Sequence, residues 1–165
     1  MNLKLNKSHL ASNSVNLGKH LDLPNAEIFN LPEKVLQFGT GVLLRGLCDY
    51  FIDKANKKGI FNGRVVVVKS TDKGGADDFN EQDGLYTHSV KGIENGQPVE
   101  EYILNASISR TLSARTAWQE ILHCAKNPEM QIVISNTTEV GIALIEGDKI
   151  TNNPQIGRAS CRERV

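Results

Sequence analysis

The clearest pattern of apolar and polar positions runs from residue 34 to residue 69. A short apolar strand, Lys34 to Phe38, leads through Gly39-Thr40-Gly41 into Leu44, Leu47, Cys48, Phe51, Ile52 and Ala55, which recur at steps of three and four. That spacing predicts an amphipathic helix whose apolar stripe covers a sheet, with Asp49, Tyr50, Asp53, Lys54 and Lys57 largely on the other face. Asp53 and Lys57 have the spacing of a helix-surface ion pair. Lys57-Lys58-Gly59 should end the helix, because cations suit the negative end of its dipole and glycine suits a left-handed stop. Four consecutive valines, Val65 to Val68, then predict a strand buried on both faces, as in a parallel sheet covered by helices. Strand, Gly-x-Gly turn, helix and strand in that order are the parts of a dinucleotide pyrophosphate site.

Beyond residue 70 the pattern changes. Leu85 to Ile93 and Val99 to Ile108 flank Glu94-Asn95-Gly96-Gln97, and Asn-Gly between strand-like runs predicts a hairpin, read as an antiparallel insertion at the sheet edge. Arg110 to Arg115 then leads to Thr116-Ala117-Trp118-Gln119, which has the spacing of a capping box. Trp118, Ile121, Leu122 and Ala125 make the expected buried stripe of that helix, with Trp118 in the core, and Asn127-Pro128 stops it. Gln131 to Ser135 is a further strand, running into Asn136-Thr137-Thr138-Glu139. A small second hairpin is expected over residues 142–151. Residues 1–30 carry scattered leucines without periodicity and read as an extension lying on the domain. The fold class is therefore α/β: a Rossmann-like, mostly parallel sheet with helices on both faces and an antiparallel hairpin insertion.

Composition narrows the partners. The 165 residues amount to about one domain, and the formal net charge is zero, so nothing in the charge calls for a nucleic-acid or membrane surface. No apolar run approaches the ~20 residues of a membrane span, and Met1 to Asn16 lacks the apolar centre of a signal peptide, so the expected location is cytoplasmic. Cys48 and Cys124 fall on apolar helix faces and Cys161 in the tail. No cysteine pair has metal-ligand spacing, so neither disulfide nor metal is expected. His9, His20, His88 and His123 are dispersed and read as surface or structural residues.

The candidate cofactor-binding stretch is Val35, Leu36, Gln37, Phe38, Gly39, Thr40, Gly41, Val42, Leu43, Leu44, Arg45 and Gly46. Gly39 permits the tight turn, and Gly41 removes a side chain where a phosphate must approach the backbone. The N–H groups of the first helical turn, unpaired within the helix and at its positive end, would face the anion. Asp72, after the valine strand, is either the acceptor for an adenosine ribose hydroxyl or a turn residue before Gly74-Gly75, which leaves NAD against NADP open. Asn136, Thr137 and Thr138 come after a strand's carboxyl end, where ligands of open α/β sheets collect. They read equally as a cofactor border or as a polar link bonding its own backbone.

Several stretches carry a resemblance. Gln37-Phe38-Gly39-Thr40-Gly41 with Leu44-Arg45, Gln82-Asp83-Gly84-Leu85-Tyr86-Thr87, Asn127-Pro128-Glu129-Met130, and Ser135-Asn136-Thr137-Thr138-Glu139 with Gly141-Ile142 resemble the mannitol dehydrogenase family of long-chain, polyol-specific dehydrogenases, over about residues 33–153. The resemblance implies NAD as cofactor, a small sugar acid as substrate, and hydride transfer at a secondary alcohol. It places Val35 to Gly46 at NAD and Asn136 to Glu139 on the nicotinamide side. This chain has Thr40, Val42 and Leu43 where such proteins often carry Glu, Asn and Phe. The resemblance also implies a long, mostly helical C-terminal domain bearing the catalytic lysine, and that domain is missing here. No residue of this chain is assigned as the catalytic base. Residues 31–155 are thus read as an NAD-binding domain and 156–165 as a non-native tail, since three of the chain's seven arginines crowd into its last eight residues. The alternatives are the cofactor domain of another sugar-acid or polyol dehydrogenase, and a noncatalytic nucleotide-binding module.

Overall fold

The computed structural model describes residues 5–11, 21–69 and 76–136. Met1–Ile134 form one compact unit; of a second, Ser135–Val165, only Ser135 and Asn136 are described. The elements are α1 (Lys7–Ala11), β1 (Leu21–Asp22), a 3-10 turn (Ala26–Asn30), β2 (Glu33–Phe38), a π turn (Leu44–Cys48) continuing into α2 (Asp49–Lys57), β3 (Arg64–Lys69), α3 (Ala76–Glu81), β4 (Tyr86–Glu94), β5 (Gln97–Asn105), β6 (Ile108–Ser113), α4 (Trp118–Lys126) and β7 (Ile132–Ser135).

The main sheet has the order β6-β3-β2-β7, with β3 parallel to both β2 and β6. Numbered by their appearance in this sheet, the strands run 3-2-1-4, the first part of a doubly wound dinucleotide fold, and the chain switches sides at β2. Strand alternation decides what each face buries. Leu36, Val66, Val68 and Leu112 pack with Ile121 and Cys124 of α4, whereas Val35, Val65, Val67 and Ile108 pack with Ile52 of α2, Phe61 and Phe79. Val65 to Val68 are each at most 2% exposed, so the strand predicted from four valines is buried on both sides.

The Asn-Gly hairpin forms as expected. Asn95 and Gly96 take φ of 51° and 77°, and β4 pairs antiparallel with β5 from Tyr86↔Asn105 to Glu94↔Gln97. It differs from the expectation in two ways. The second run is not one strand: β5 ends at Asn105, and Ile108 opens β6, which joins the main sheet. The hairpin is also not an insertion at that sheet's edge, because with β1 it makes a separate sheet of order β1-β5-β4. The described part of residues 1–30 supplies β1, parallel to β5, and Ile28, buried against Leu85, Leu104 and Ala106. Gly84 makes the entry to β4 possible. At φ 75° a Cβ there would lie 2.2 Å from the Ile108 carbonyl oxygen, so only glycine fits.

Helix α2 ends as predicted, in a Schellman arrangement: Gly59 N–H donates to Asn56 O at 2.9 Å and Ile60 N–H to Ala55 O at 2.9 Å, with Gly59 at φ 67°. Its faces are not as predicted. Asp49 and Asp53 are 0% exposed and Asn56 is buried, while Leu47 and Phe51, placed in the buried stripe, are 50% and 59% exposed. Helix α4 departs too. It starts at Trp118 with Ala117 as its N-cap and no side-chain capping bond, so Thr116 lies one position too early to complete the box. Its buried residues are Ile121 and Cys124; Trp118 is 49% exposed, and Leu122 and Ala125 also face outward. Asn127 closes α4 as expected, its side chain accepting from Glu129 N–H.

Candidate functional site

Three features shape the glycine turn at the carboxyl end of β2. Gly39 sits at φ 120°, a conformation side chains resist, and its N–H donates to Val68 O at 2.9 Å, which ties the turn to the end of β3. A Cβ on Gly41 would meet no atom within 4 Å, so the backbone there faces open space from which a phosphate can reach it. Helical winding begins at once, with Arg45 N–H donating to Gly41 O at 3.2 Å. Leu44–Cys48 are wound as a π turn closed by Asp49 N–H on Leu44 O, an arrangement often found beside functional sites. Open backbone at Gly41 and a helix start directed from the strand's end fit the dinucleotide arrangement proposed from sequence.

The predicted stretch does not present all its residues to that space. Val35, Leu36 and Leu44 have side chains sealed in the core, where they hold β2 and the helix together. Phe38, Gly39, Thr40 and Arg45 are half-buried, and Gly41, Val42, Leu43 and Gly46 are exposed. Gln37 is fully buried but polar. Asn136 is exposed just after β7, whereas Asp72, Thr137 and Thr138 lie outside the described residues, as does the predicted second hairpin.

Gln37, Thr40, Arg45, Val67, Phe79, Ile108 and Thr111 border a narrow crevice with no room for a water molecule. Gln37 Nε2 donates to Gly39 O and to Asp49 Oδ2, each at 3.3 Å. The Arg45 guanidinium lies 5.3 Å from the Phe79 ring centre and 6.0 Å from that of Tyr86, whose hydroxyl donates to Arg45 O at 2.9 Å. Gln37 Oε1, Arg45 Nε, Asp49 Oδ1 and Thr111 Oγ1 are buried without a protein partner. Burial pushes the Asp49 carboxyl up to about 7, against the opposing pull of the Gln37 hydrogen bond and the Arg45 charge.

Farther along α2 the buried polar groups serve the chain itself. Asp53 Oδ1 accepts from Ala106 N–H at 2.8 Å, and burial raises its carboxyl despite that bond and Lys57 at 3.0 Å. The predicted Asp53–Lys57 pair therefore forms, but inside rather than on the surface. Asn105 Nδ2 donates to Asp49 O at 3.1 Å, and Ser107 N–H donates to Asn105 Oδ1 at 2.9 Å. Asn56 and Gly63 clasp reciprocally at 2.7 and 3.0 Å. Asp53 and Asn105 thereby satisfy the Ala106 and Ser107 N–H groups of the buried link from the hairpin to β6, which would otherwise be orphaned, while Asn56 ties α2 to the loop before β3. The sequence pattern puts Asp49 and Asp53 on the outward face, whereas they and Asn56 are buried. The available signal was their own spacing, four then three, which repeats as regularly as the apolar stripe.

Among the described residues no group of three or more His, Cys, Asp and Glu is placed to hold a metal, and no helix is long and apolar enough to cross a membrane. Cys48 and Cys124 are free thiols, Cys124 buried, and Cys161 lies outside the described residues.

No family model matches the chain. It is 45% identical over 117 residues to an altronate oxidoreductase of Halalkalibacterium halodurans, covering 70% of this chain and 23% of that protein. It is 40% identical over 124 residues to the altronate oxidoreductase of Bacillus subtilis (75% and 26%) and 40% identical over 136 residues to that of Bacteroides thetaiotaomicron (82% and 28%). The chain thus spans about a quarter of the length of these relatives. Among solved structures, Pseudomonas fluorescens mannitol 2-dehydrogenase in ternary complex with NAD and D-mannitol superposes with a TM-score of 0.75 at 26% identity, over 94% of this chain and 31% of that one. A D-sorbitol dehydrogenase shares the fold, with a TM-score of 0.70 at 20% identity over 88% and 29% of the two chains. The resemblance to the mannitol dehydrogenase family read from the motifs is borne out, as is the Rossmann-like fold.

Proposed function

We propose, starting from its kinship with the altronate oxidoreductases, that this chain is the NAD-binding part of an enzyme interconverting D-altronate and D-tagaturonate. The observation that carries the reading is the turn itself: Gly39 at positive φ, Gly41 open to solvent, and a helix beginning at once, all at the strand where the sheet order switches direction. The backbone N–H groups from Gly41 to Leu44 receive the pyrophosphate; Thr40 and Arg45 border it. Asp72 takes the adenosine ribose, and Asn136 to Thr138 line the nicotinamide side. NAD supplies the hydride acceptor when it is bound. Residues 31–155 constitute the cofactor domain, braced by the packed segment 21–30. The base for the alcohol proton and most substrate contacts are assigned to sequence that the longer relatives carry, so this chain alone binds cofactor without appreciable turnover. The enzyme acts on a small sugar acid in the cytoplasm and needs neither metal nor nucleic acid.

NADH titration followed by nucleotide fluorescence tests the site. Gly41→Val adds a side chain into open space, so it should weaken NADH by at least about tenfold, or ~1.4 kcal/mol, while leaving thermal stability within roughly 2 °C. Equal NADH affinity in wild type and Gly41→Val removes the pyrophosphate assignment. Altronate oxidation by the purified chain removes the assignment of catalysis to the rest of the protein. Fructuronate reductase or mannitol dehydrogenase is the second reading; identity of 40–45% to altronate oxidoreductases against 26% to mannitol 2-dehydrogenase favours the first.

A further inference from the structure

We propose that Asp49 is a positioning residue for the glycine turn, acting through Gln37 to hold the Gly39 peptide in the shape that receives a phosphate. The inference rests on reading that turn as the cofactor site. Gln37 has a fully buried side chain whose single amide nitrogen carries two protons and meets two acceptors, Gly39 O two residues ahead and Asp49 Oδ2 twelve residues ahead. The Gly39 N–H is already committed to Val68 O. The turn is therefore gripped from both sides, by β3 through its N–H and by Gln37 through its carbonyl. Gly39 needs that grip, since glycine at φ 120° has no side chain to restrict its backbone.

Asp49 fixes the glutamine, and it is itself fixed. Its N–H closes the π turn on Leu44 O, and its carbonyl accepts from Asn105 Nδ2 at 3.1 Å. A π turn takes more residues than an α turn, so it changes the rotational phase of the helix beyond it, and here that helix opens with Asp49 turned inward against Gln37 of β2. The charged and titratable groups facing this carboxyl are Arg45 from the π turn, Tyr86 from β4, and Asp53 with its partner Lys57 farther along α2. A carboxyl that is wholly buried while only one oxygen is bonded has a specific task here, because solvent would hold it at less cost.

Asp49→Asn, Asp49→Leu and Gln37→Met, each in the full chain, separate this role from general packing. Asparagine keeps an acceptor for Gln37; leucine removes it; methionine removes the clasp from the other side at similar volume. In cofactor-free hydrogen exchange the Gly39 amide should exchange at least about tenfold faster in Asp49→Leu and Gln37→Met, beyond any change at Val66 and Val67, and within about twofold of wild type in Asp49→Asn. NADH affinity should follow the same order. Gly39 exchange in Asp49→Leu that moves no more than Val66 overturns the proposal, and so does Asp49→Asn behaving like Asp49→Leu. If Gly39 responds as expected but the wild type fails to bind NADH, the clasp is supported and the cofactor reading falls instead. Should Asp49→Leu not fold, Asp49→Asn against Gln37→Met carries the same comparison.

Discussion

Strand β3 and helix α2 are neighbours in sequence, and both contribute to the core, yet they use opposite chemistry. In β3 the pattern means what it says: four valines, each buried, divided between two faces of one sheet. In α2 with its π turn, Asp49, Asp53 and Asn56 are inside while Val42, Leu43, Leu47 and Phe51 are 50–76% exposed. The difference lies in what each element faces. A strand between two helices meets side chains, and apolar surface suffices. Helix α2 meets the short link from β5 to β6, where Ala106 N–H has no strand partner and takes the Asp53 carboxylate as its acceptor, because buried backbone needs such partners. Polarity inside a protein can thus be dictated by a neighbour's missing ladder.

Substitutions can break that contrast, beginning in the sheet. Val66→Asp puts an unpaired charge between β2 and β6 and should cost more than about 4 kcal/mol, enough to abolish a cooperative urea transition. In the helix the rule should invert. Asp53→Leu, an apolar residue at a buried position, should cost about 3 kcal/mol in thermal or urea melts, because Ala106 N–H loses its acceptor. A stabilised Asp53→Leu would show that α2 obeys the same rule as β3.

Next in size is a pH effect. The Asp49 carboxyl titrates near 7 in the folded chain against an ordinary value of 3.8, so the folded state holds its proton more tightly than the unfolded chain. Its contribution to stability is therefore greatest below about pH 4 and declines as pH rises towards 7. Asp49→Asn lacks that decline. Its stability relative to wild type should rise by about 2 kcal/mol between pH 4 and pH 8, less than the ~1.4 kcal/mol per unit of the full shift, since the ionised form bonds Gln37 more strongly than an amide does. Urea midpoints at the two pH values test this, and parallel curves for the two proteins would count against a buried, titrating Asp49. The smallest effect belongs to the outward apolar face: Phe51→Ser should change stability by less than about 0.5 kcal/mol.

These contrasts also show what the sequence makes legible. The β2-turn-helix-β3 order, the Asn95-Gly96 hairpin and the Gly59 stop rest on local rules, and each is found. The glycine turn is legible for the same reason: the conformation of Gly39 and the space at Gly41 are properties of the backbone nearby. What escapes depends on distant partners. Strand β6 hides inside a run that looks continuous from Val99 to Ile108, because nothing local says that Asn105-Ala106-Ser107 changes sheets. Asp49 and Asp53 look like solvent residues until Gln37 and Ala106 are placed against their carboxyls. Trp118 fails differently: its size argues for burial, but the helix begins one residue late and is held by Ile121 and Cys124 instead.

The bond from Ala106 N–H to Asp53 spans 53 positions of the chain, and it has a consequence for the order in which a ribosome delivers this protein. The helix behind the glycine turn is complete at Lys57, and Asp49 already has Gln37 as its partner, but the backbone N–H that Asp53 accepts from is made only with Ala106. At roughly 5–20 residues per second, that is a delay of about 3–10 s. During it the Asp53 carboxylate has Lys57 of its own helix but not its backbone donor. The helix behind the glycine turn is thus translated well before its buried face is finished.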